Sequence, residues 1–474
     1  MRLKKECYDA IIIGAGIGGL LTAAFLAKRG LSVIIFEKEN ELGGYCRSFS
    51  NNGYTFDACI DSIGGLHKGG FLYKVMEELS ILDKIQLIDI KPMRRNIFPN
   101  FSIDIASSMG QHKEQLKSLF PKESDGIDGL FCLMDDIFES LILSVSGGAN
   151  SSHVYRWANS SFKELLDCFI TNPSLQAQLS SYCNFLGLPA SKVSAIAAAS
   201  ALMHYLKGGA FRIRGGVQKL INAITEIIVH NKGKVILGEE VAKVNIAQNK
   251  AVGVTTVKGR TVKGEQTISG IDANHLTGSL ISSEVLPFKK AQAIKKLNVS
   301  SSLIVVYLGV DYDMRKLNLA PSIGYFACDD IDAVLNADDR LSFGISIPSL
   351  VDDTLAPEGH STVLIHMPCY QNKQSCYNKN AIADVLIEHA ERIIPNIHRR
   401  IVFRSVADYK TFHKYTGNKD GAAYGWEQKP GFLSNVSSLS NIVKNLYIVG
   451  HWAGYGGGVM PSAISAMKVA NNIT

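Results

Sequence analysis

Gly14, Gly16 and Gly19 stand in G-x-G-x-x-G spacing, and an acid, Glu37, follows them across one short apolar segment. Glycines so spaced let a backbone turn tightly, approach a phosphate and pack closely on a neighbouring element. Ala15, Ile17 and Gly18 complete the loop, and amides at a helix start there face the charge of a pyrophosphate. Glu37, with Lys38 beside it, lies where a carboxylate accepts from both hydroxyls of an adenosine ribose. A 2′-phosphate would meet like charge, so the expected ligand is FAD or NAD rather than NADP. The elements that must hold these groups flank them. Ala10-Ile11-Ile12-Ile13 predicts a strand, Leu20, Leu21, Ala24 and Ala27 give helical spacing, and Val33-Ile34-Ile35-Phe36 predicts a second strand. Together they make a βαβ unit.

Gly43-Gly44 and then Arg47-Ser48 come directly after the acid. Glycines here let the chain pass a second phosphate and a flat ring, and Arg47 can neutralise charge. This diglycine resembles the second FAD motif of the amine oxidase and phytoene desaturase superfamily. At the other end, Asn445 to Gly450 reads as a strand, and Gly456-Gly457-Gly458-Val459-Met460-Pro461 opens a last helix through Ala463 to Asn471. Its N-terminal amides can stabilise charge on the flavin pyrimidine oxygen. The resemblance implies FAD, and no His or Cys occupies a recognised flavin-linking position, so non-covalent binding is expected. Several relatives carry an acid after the glycine equivalent to Gly450. Here His451 takes that place and is expected to donate a hydrogen bond to the cofactor, a structural role.

Further segments resemble phytoene desaturases, carotenoid isomerases and retinol saturases in order along the chain. Gly53 to Cys59 resembles their G-x-x-F-D-x-G, with Cys59 in place of the last glycine. Gln111 to Glu123 resembles their helix ending in L-F-P, and Ser161 to Leu175 the next helix pair. Lys207 to Val217 resembles an aromatic, basic and diglycine passage beneath the flavin, before a helix from Gln218 to His230. Val235 to Leu237, Val241 to Ile246, Ala251 to Val257 and Thr261 to Lys263 read as a β-meander, and Val241 matches a position whose backbone meets adenine. Gln266 to Ala273 resembles a strand ending V-S-N-A-D, with Gly270 in place of Asn. Asp352 to Gly359 and Gly421 to Trp426 resemble two family turns. His67, in the glycine-rich loop Ser62 to Gly70, is the one catalytic candidate, against the reading of a hydrogen-bonded surface histidine.

The expected fold class is α/β, a Rossmann-type FAD-binding domain (1–85, 207–274 and 420–474) interleaved with an α+β substrate domain (86–206 and 275–419) of mixed sheet plus helices. A chain of 474 residues has room for both cores. A net charge of +6 without a long basic run argues against nucleic acid and leaves attraction to an anionic membrane surface open. No apolar run spans a bilayer. The N-terminal Met1 to Glu6 enters the first strand directly, against export. Nine cysteines lack a C-x-x-C, and twelve histidines show no ligand spacing, so no metal is expected and cytoplasmic placement is.

Strand patterns at Leu303 to Val310, Ile323 to Ala327, Leu341 to Ile347 and Val363 to Met367 suggest an apolar floor for a tunnel. Leu130 to Val145 reads as a buried core helix or as a lip dipping into a bilayer, which would put the protein peripherally on the inner face of a membrane. Such a tunnel suits a long polyene or isoprenoid, such as a carotenoid or retinoid, desaturated, saturated or isomerised at carbon–carbon bonds. Without a second nucleotide motif, the expected electron partner is a quinone, oxygen or a protein carrier, unless the reaction is a net isomerisation. Two alternatives share the scaffold: an amine oxidase acting on a smaller polar substrate, and a non-catalytic prenyl carrier similar to Rab GDP-dissociation inhibitors.

Overall fold

The apolar run after Tyr8 forms strand Cys7–Ile13, whose residues from Ala10 onward are buried on both faces, which is why they read as continuous rather than alternating. The computed structural model describes residues 7–145, 148, 151–282, 284–286, 288–330, 332, 342–369, 378–432 and 442–474. Met1 to Glu6, and Leu341 at the head of one expected strand, lie outside the described residues. Strand Cys7–Ile13 is central in a seven-stranded sheet ordered Val241–Ala247, Lys250–Thr256, Thr261–Ser269, Cys7–Ile13, Val33–Phe36, Lys234–Ile236, with Leu446–Ile448 also pairing Thr261–Ser269. Its core strands are parallel, and the Val241–Ala247 and Lys250–Thr256 strands add an antiparallel edge.

Two expectations about this sheet change. Lys234–Ile236 leaves the meander and pairs parallel with Val33–Phe36. Thr261–Ser269 is one strand rather than two, because Lys263 to Ser269 pair parallel with Cys7–Ile13 in one continuous register; Ile11 packs over Gly264, where an added Cβ would come within 2.7 Å of it. Helix Ile17–Lys28, buried nearly all round, packs between the last helix, Val459–Ile473, and Gln218–His230.

A second seven-stranded sheet runs Ile401–Ala407, Ser302–Val310, Ser361–Cys369, Ser342–Ser346, Ser322–Phe326, Arg94–Ile97, Ser102–Ile105. Successive side chains alternate between its faces. Ile304, Val306, Ile323, Ile345 and Ile365 point to one face, packed with Leu386 and Ile387 of helix Lys379–Ala390. The opposite face carries Leu303, Val305 and Tyr307 at one end, then Leu364 and His366, Ser346 and Gly344, Ser322 and Gly324, and Arg94 and Asn96. The apolar pattern thus belongs largely to the helix-packed face. The face expected as an apolar floor is polar in its middle, a correction that follows from period-2 alternation.

Helix Ser124–Val145 settles the character of the apolar stretch over most of its length. Leu130, Phe131, Leu133, Met134 and Ile137 are buried in a helical core with Leu202 and Leu206 of helix Ala195–Gly208. Leu143, near its end, is 61% exposed. Among the described residues no helix is long and apolar enough to cross a membrane.

Candidate cofactor site

A cavity of about 510 Å³ lies along the C-terminal edge of the first sheet. Gly14, Gly16, Ile17 and Gly18 line it where helix Ile17–Lys28 starts, and Glu37 and Lys38 line it at the end of the second strand. Gly43, Gly44 and Arg47 follow on the same wall, Val241 closes one end, and Gly450, His451, Gly458 and Val459 bring in the start of the last helix.

Each expected glycine has a distinct physical reason. A Cβ on Gly16 would meet nothing within 4 Å, so this backbone faces open space. On Gly19 it would strike the Gly14 carbonyl, which confirms close helix–strand packing there. On Gly18 it would lie 2.7 Å from the Gly450 backbone, so the first and last motifs touch. Gly43 (φ +112°) donates its amide to the Ala15 carbonyl at 2.9 Å and rests the diglycine on the first loop.

Both Glu37 oxygens hold the loop. Oε2 accepts from the Ala15 amide at 2.7 Å and Oε1 from the Glu39 amide at 3.0 Å. Burial raises its pKa, partly offset by those two amide bonds. Lys38 Nζ donates to the Lys414 carbonyl at 3.0 Å. Arg47 pairs with Glu41 and lies 4.8 Å over the Tyr415 ring, so its charge is already shared.

Six expected residues sit elsewhere. Ala15 spends its amide on Glu37 and its carbonyl on Gly43, behind the wall. Ser48 donates to Asp57 at 2.6 Å and accepts from the Gln218 amide at 3.0 Å, which ties two loops together. Gly19, Gly457 and Met460 pack outside the lining; a Cβ on Gly457 would strike Tyr424, and Met460 is in the core. His67 is exposed, with Nδ1 3.1 Å from the Gly208 carbonyl, and takes no part in the cavity wall. The structure therefore favours its surface reading.

His451 lines the cavity, but its ring is turned to the protein. Nε2 is 3.2 Å from Asn418 Nδ2, an amide donor, and the ring also bonds to the Ala423 backbone. Burial holds its pKa down at about 4, so it is neutral at pH 7. The expected donation to the cofactor would have to compete with this internal bonding. Asn418 is the hub: its Oδ1 accepts from Trp452 Nε1 at 3.1 Å while its Nδ2 reaches His451.

Sequence reasoning missed the wall formed by His413 to Asn418, which is the last turn of helix Tyr409–Thr416 and the two residues after it, and which the domain division assigned to the substrate segment. Nothing local marks it. It also missed Ile60, Leu303 and Tyr424, although Cys59, beside them, was noted. The Lys207 to Val217 passage is not in the lining. Arg212 instead makes a buried ion pair with Asp57 at 2.7 Å, and Asp57 accepts from the Val217 amide at 2.8 Å.

These residues fit FAD. One continuous cavity joins a half-buried acid for a ribose, an unobstructed glycine backbone for a pyrophosphate, and a group of Cys59, Ile60, Leu303 and Val459 suited to a flat ring. The family profile for flavin containing amine oxidoreductase matches residues 17–474. A prolycopene isomerase of an Oncidium hybrid cultivar is 26% identical over 505 residues, covering 99% of this chain and 84% of the relative. A 4,4'-diapophytoene desaturase (4,4'-diapolycopene-forming) of Methylomonas sp is 25% identical over 386 residues, covering 76% of this chain and 73% of the relative. Among solved structures, a cyclohexylamine oxidase from Brevibacterium oxydans superposes with a TM-score of 0.69 at 16% identity, covering 98% of both chains, a likeness of fold. The chain therefore belongs to the flavin containing amine oxidoreductases and is an FAD-dependent oxidoreductase.

Proposed function

We propose that this oxidoreductase moves hydrogen to or from carbon–carbon bonds of a long apolar polyene or isoprenoid, in desaturation, saturation or isomerisation, with non-covalent FAD. The observation that carries the reading is similarity to prolycopene isomerases over 99% of the chain. The apolar ring end of the cavity, Ile60, Leu303 and Val459, supports it.

FAD supplies a ring that accepts or gives hydride. The chain's own part is to bind, orient and exclude water. Glu37 accepts from the ribose hydroxyls, and the amides at the starts of helices Ile17–Lys28 and Val459–Ile473 face the pyrophosphate and the ring. Buried Trp452 and Trp426, linked through Trp426 Nε1 and the Trp452 carbonyl at 3.2 Å, close the site from behind. Burial pushes the Cys46 thiol up to about 12 and the Cys59 thiol higher still, so both remain protonated and are poor nucleophiles toward a flavin. That supports a dissociable cofactor. Contact with a membrane surface is part of the reading, because such a substrate partitions into lipid. Exposed Leu143 and Tyr155 lie near each other in the chain, at the ends of two helices tied by the Ser151 amide and Ser140 Oγ at 2.6 Å.

The test mixes the FAD-loaded enzyme anaerobically, oxidised or reduced, with liposome-borne polyenes and with soluble amines, and follows flavin absorbance and products. Polyene conversion, with flotation of the protein on anionic liposomes, is expected. Reduction of the flavin by an amine, without polyene conversion or flotation, would overturn the proposal.

A further inference from the structure

The middle of the second sheet's inner face is built around a polar centre. Arg94 lies on strand Arg94–Ile97 and His366 on strand Ser361–Cys369, and the strands between them contribute Gly324 and Gly344, which pair directly with each other. A Cβ on Gly324 would lie 2.7 Å from Arg94 Nη2, and one on Gly344 would strike the His366 ring. Glycine at both positions is what lets the guanidinium and the imidazole lie across the sheet.

Asp61 faces them and is well satisfied. It accepts from Ser322 Oγ at 2.8 Å and from Ser346 Oγ, with Arg94 Nη1 at 4.0 Å. Burial resists its charge, but His366, Arg94, the Ser346 bond and Arg212 outweigh this and hold its pKa down; with His366 itself at about 4, Arg94 and, behind it, Arg212 carry the attraction at neutral pH. The other groups are less complete. Arg94 uses Nε on Asn96 at 3.1 Å and Nη1 weakly on Ser322 at 3.4 Å, while Nη2 hydrogen-bonds to no described residue. Among the described residues, neither His366 ring nitrogen does so either, nor does the hydroxyl of Tyr182, whose ring lies 6.3 Å from Phe185 and which is close enough to Arg94 to interact electrostatically. Nearby, Gln178 Nε2 and Asn184 Oδ1 are buried without a partner, although buried polar groups are nearly always bonded. Aromatic rings border the centre: Arg94 is 5.1 Å over the Phe185 ring, and Tyr205 lies tilted against Phe185 at 5.9 Å.

The centre adjoins the flavin end. Cys59 and Ile60 line the cofactor cavity, and the next residue is Asp61. From the other side Tyr424, also in the lining, reaches the Asn184 carbonyl at 3.4 Å, one residue before Phe185.

We propose that Arg94, His366 and Tyr182 anchor a neutral oxygen, a hydroxyl or carbonyl, on the otherwise apolar substrate. This rests on the isoprenoid reading and narrows it to an oxygenated isoprenoid. The charge pattern selects a neutral group: Arg94 is already matched by Asp61, so a carboxylate would face Asp61 and an ammonium would face Arg94. An oxygen accepts from Arg94 Nη2 and exchanges a hydrogen bond with neutral His366, which either donates or accepts.

The test titrates FAD-loaded enzyme with one polyene chain bearing five ends: deoxyretinol (the hydrocarbon), retinol, retinal, retinoic acid and retinylamine. Flavin absorbance reports binding. Retinol or retinal should bind about tenfold more tightly than the hydrocarbon, as one well-placed hydrogen bond gives, with the acid and amine weaker than the alcohol. His366→Leu should abolish the preference, so that retinol binds no more tightly than the hydrocarbon. The double variant Asp61→Asn with Arg94→Met removes both charges together, so neither is left buried alone, and should do the same. Equal binding of hydrocarbon and alcohol, or variants that weaken both equally, overturns the anchor and leaves the isoprenoid reading standing. Preference for the amine, or no binding by any of the five, overturns both.

Discussion

Replacing Glu37 with alanine should cost the protein twice, in two measurable quantities. Its carboxylate holds the Ala15 amide at 2.7 Å and the Glu39 amide at 3.0 Å while lining the cavity. A hydrogen bond to a charged partner contributes about 1.5–3 kcal/mol, so losing the ribose contact should weaken FAD binding about 10- to 160-fold. The Ala15 amide, in a fully buried residue, is then left without its acceptor, at a cost of about 1–3 kcal/mol to the FAD-free protein. FAD titration by fluorescence quenching reads the first effect, and urea denaturation of FAD-free protein reads the second. Glu37→Gln separates charge from shape, since its amide nitrogen cannot accept from either backbone group. Because burial raises the Glu37 pKa, wild-type FAD affinity should fall with acidification earlier than for an ordinary glutamate. The Gln variant should lack that dependence. Lower stability with unchanged FAD affinity in both variants would refute the ribose contact and leave Glu37 as a brace for the loop.

Gly18→Ala puts a Cβ 2.7 Å from the Gly450 backbone, and backbone cannot swing aside as a side chain can. FAD affinity should fall at least about tenfold with the fold retained by circular dichroism, and wild-type affinity would contradict the contact between motifs. His112 is buried against Phe131, with Nε2 unpartnered, and burial lowers its pKa from 6.5 to about 4. The unfolded chain therefore binds an extra proton between those values, so stability present above pH 6.5 is lost as the pH falls toward 4, by up to about 3 kcal/mol. His112→Phe should be at least as stable as wild type at pH 7 and lose less on acidification; parallel stability–pH curves would refute this.

The parts of the site legible in the sequence are those whose chemistry needs particular residues in one short stretch. Gly14 to Glu37 could be read because turn, phosphate approach, helix packing and ribose acid all fall within one βαβ unit. His413 to Asn418 could not, since their place in the wall arises only when helix Tyr409–Thr416 docks beside Asn418, Trp452 and His451. Strand Arg94–Ile97 also escaped. Its Arg-Arg-Asn-Ile sequence lacks the pattern of a strand, and it forms by parallel pairing with Ser322–Phe326. The apolar strands were found, yet their period of two assigns most branched residues to the helix-packed face. One residue of offset separates a greasy floor from a polar one.

That polar floor changes what must position the substrate. Asp57 to Asp61 is the piece of chain between the cofactor cavity and the polar centre, and it is held throughout. Asp57 is fixed by Arg212, Ser48 and the Val217 amide; the Ala58 carbonyl accepts from Tyr307 at 2.6 Å; the Asp61 carbonyl accepts from Arg212. Cys59 and Ile60 are therefore presented to the ring end by a segment clamped at both ends and in the middle. A substrate without an acidic proton or a reactive carbonyl at its reacting bond gives side-chain acids and bases little to act on, and rate then depends on which bond is set over the ring. On the proposed reading, a rigid wall on one side with a hydrogen-bonding centre beyond it would choose that bond by length: the carbon–carbon bond a fixed number of atoms from the anchored oxygen.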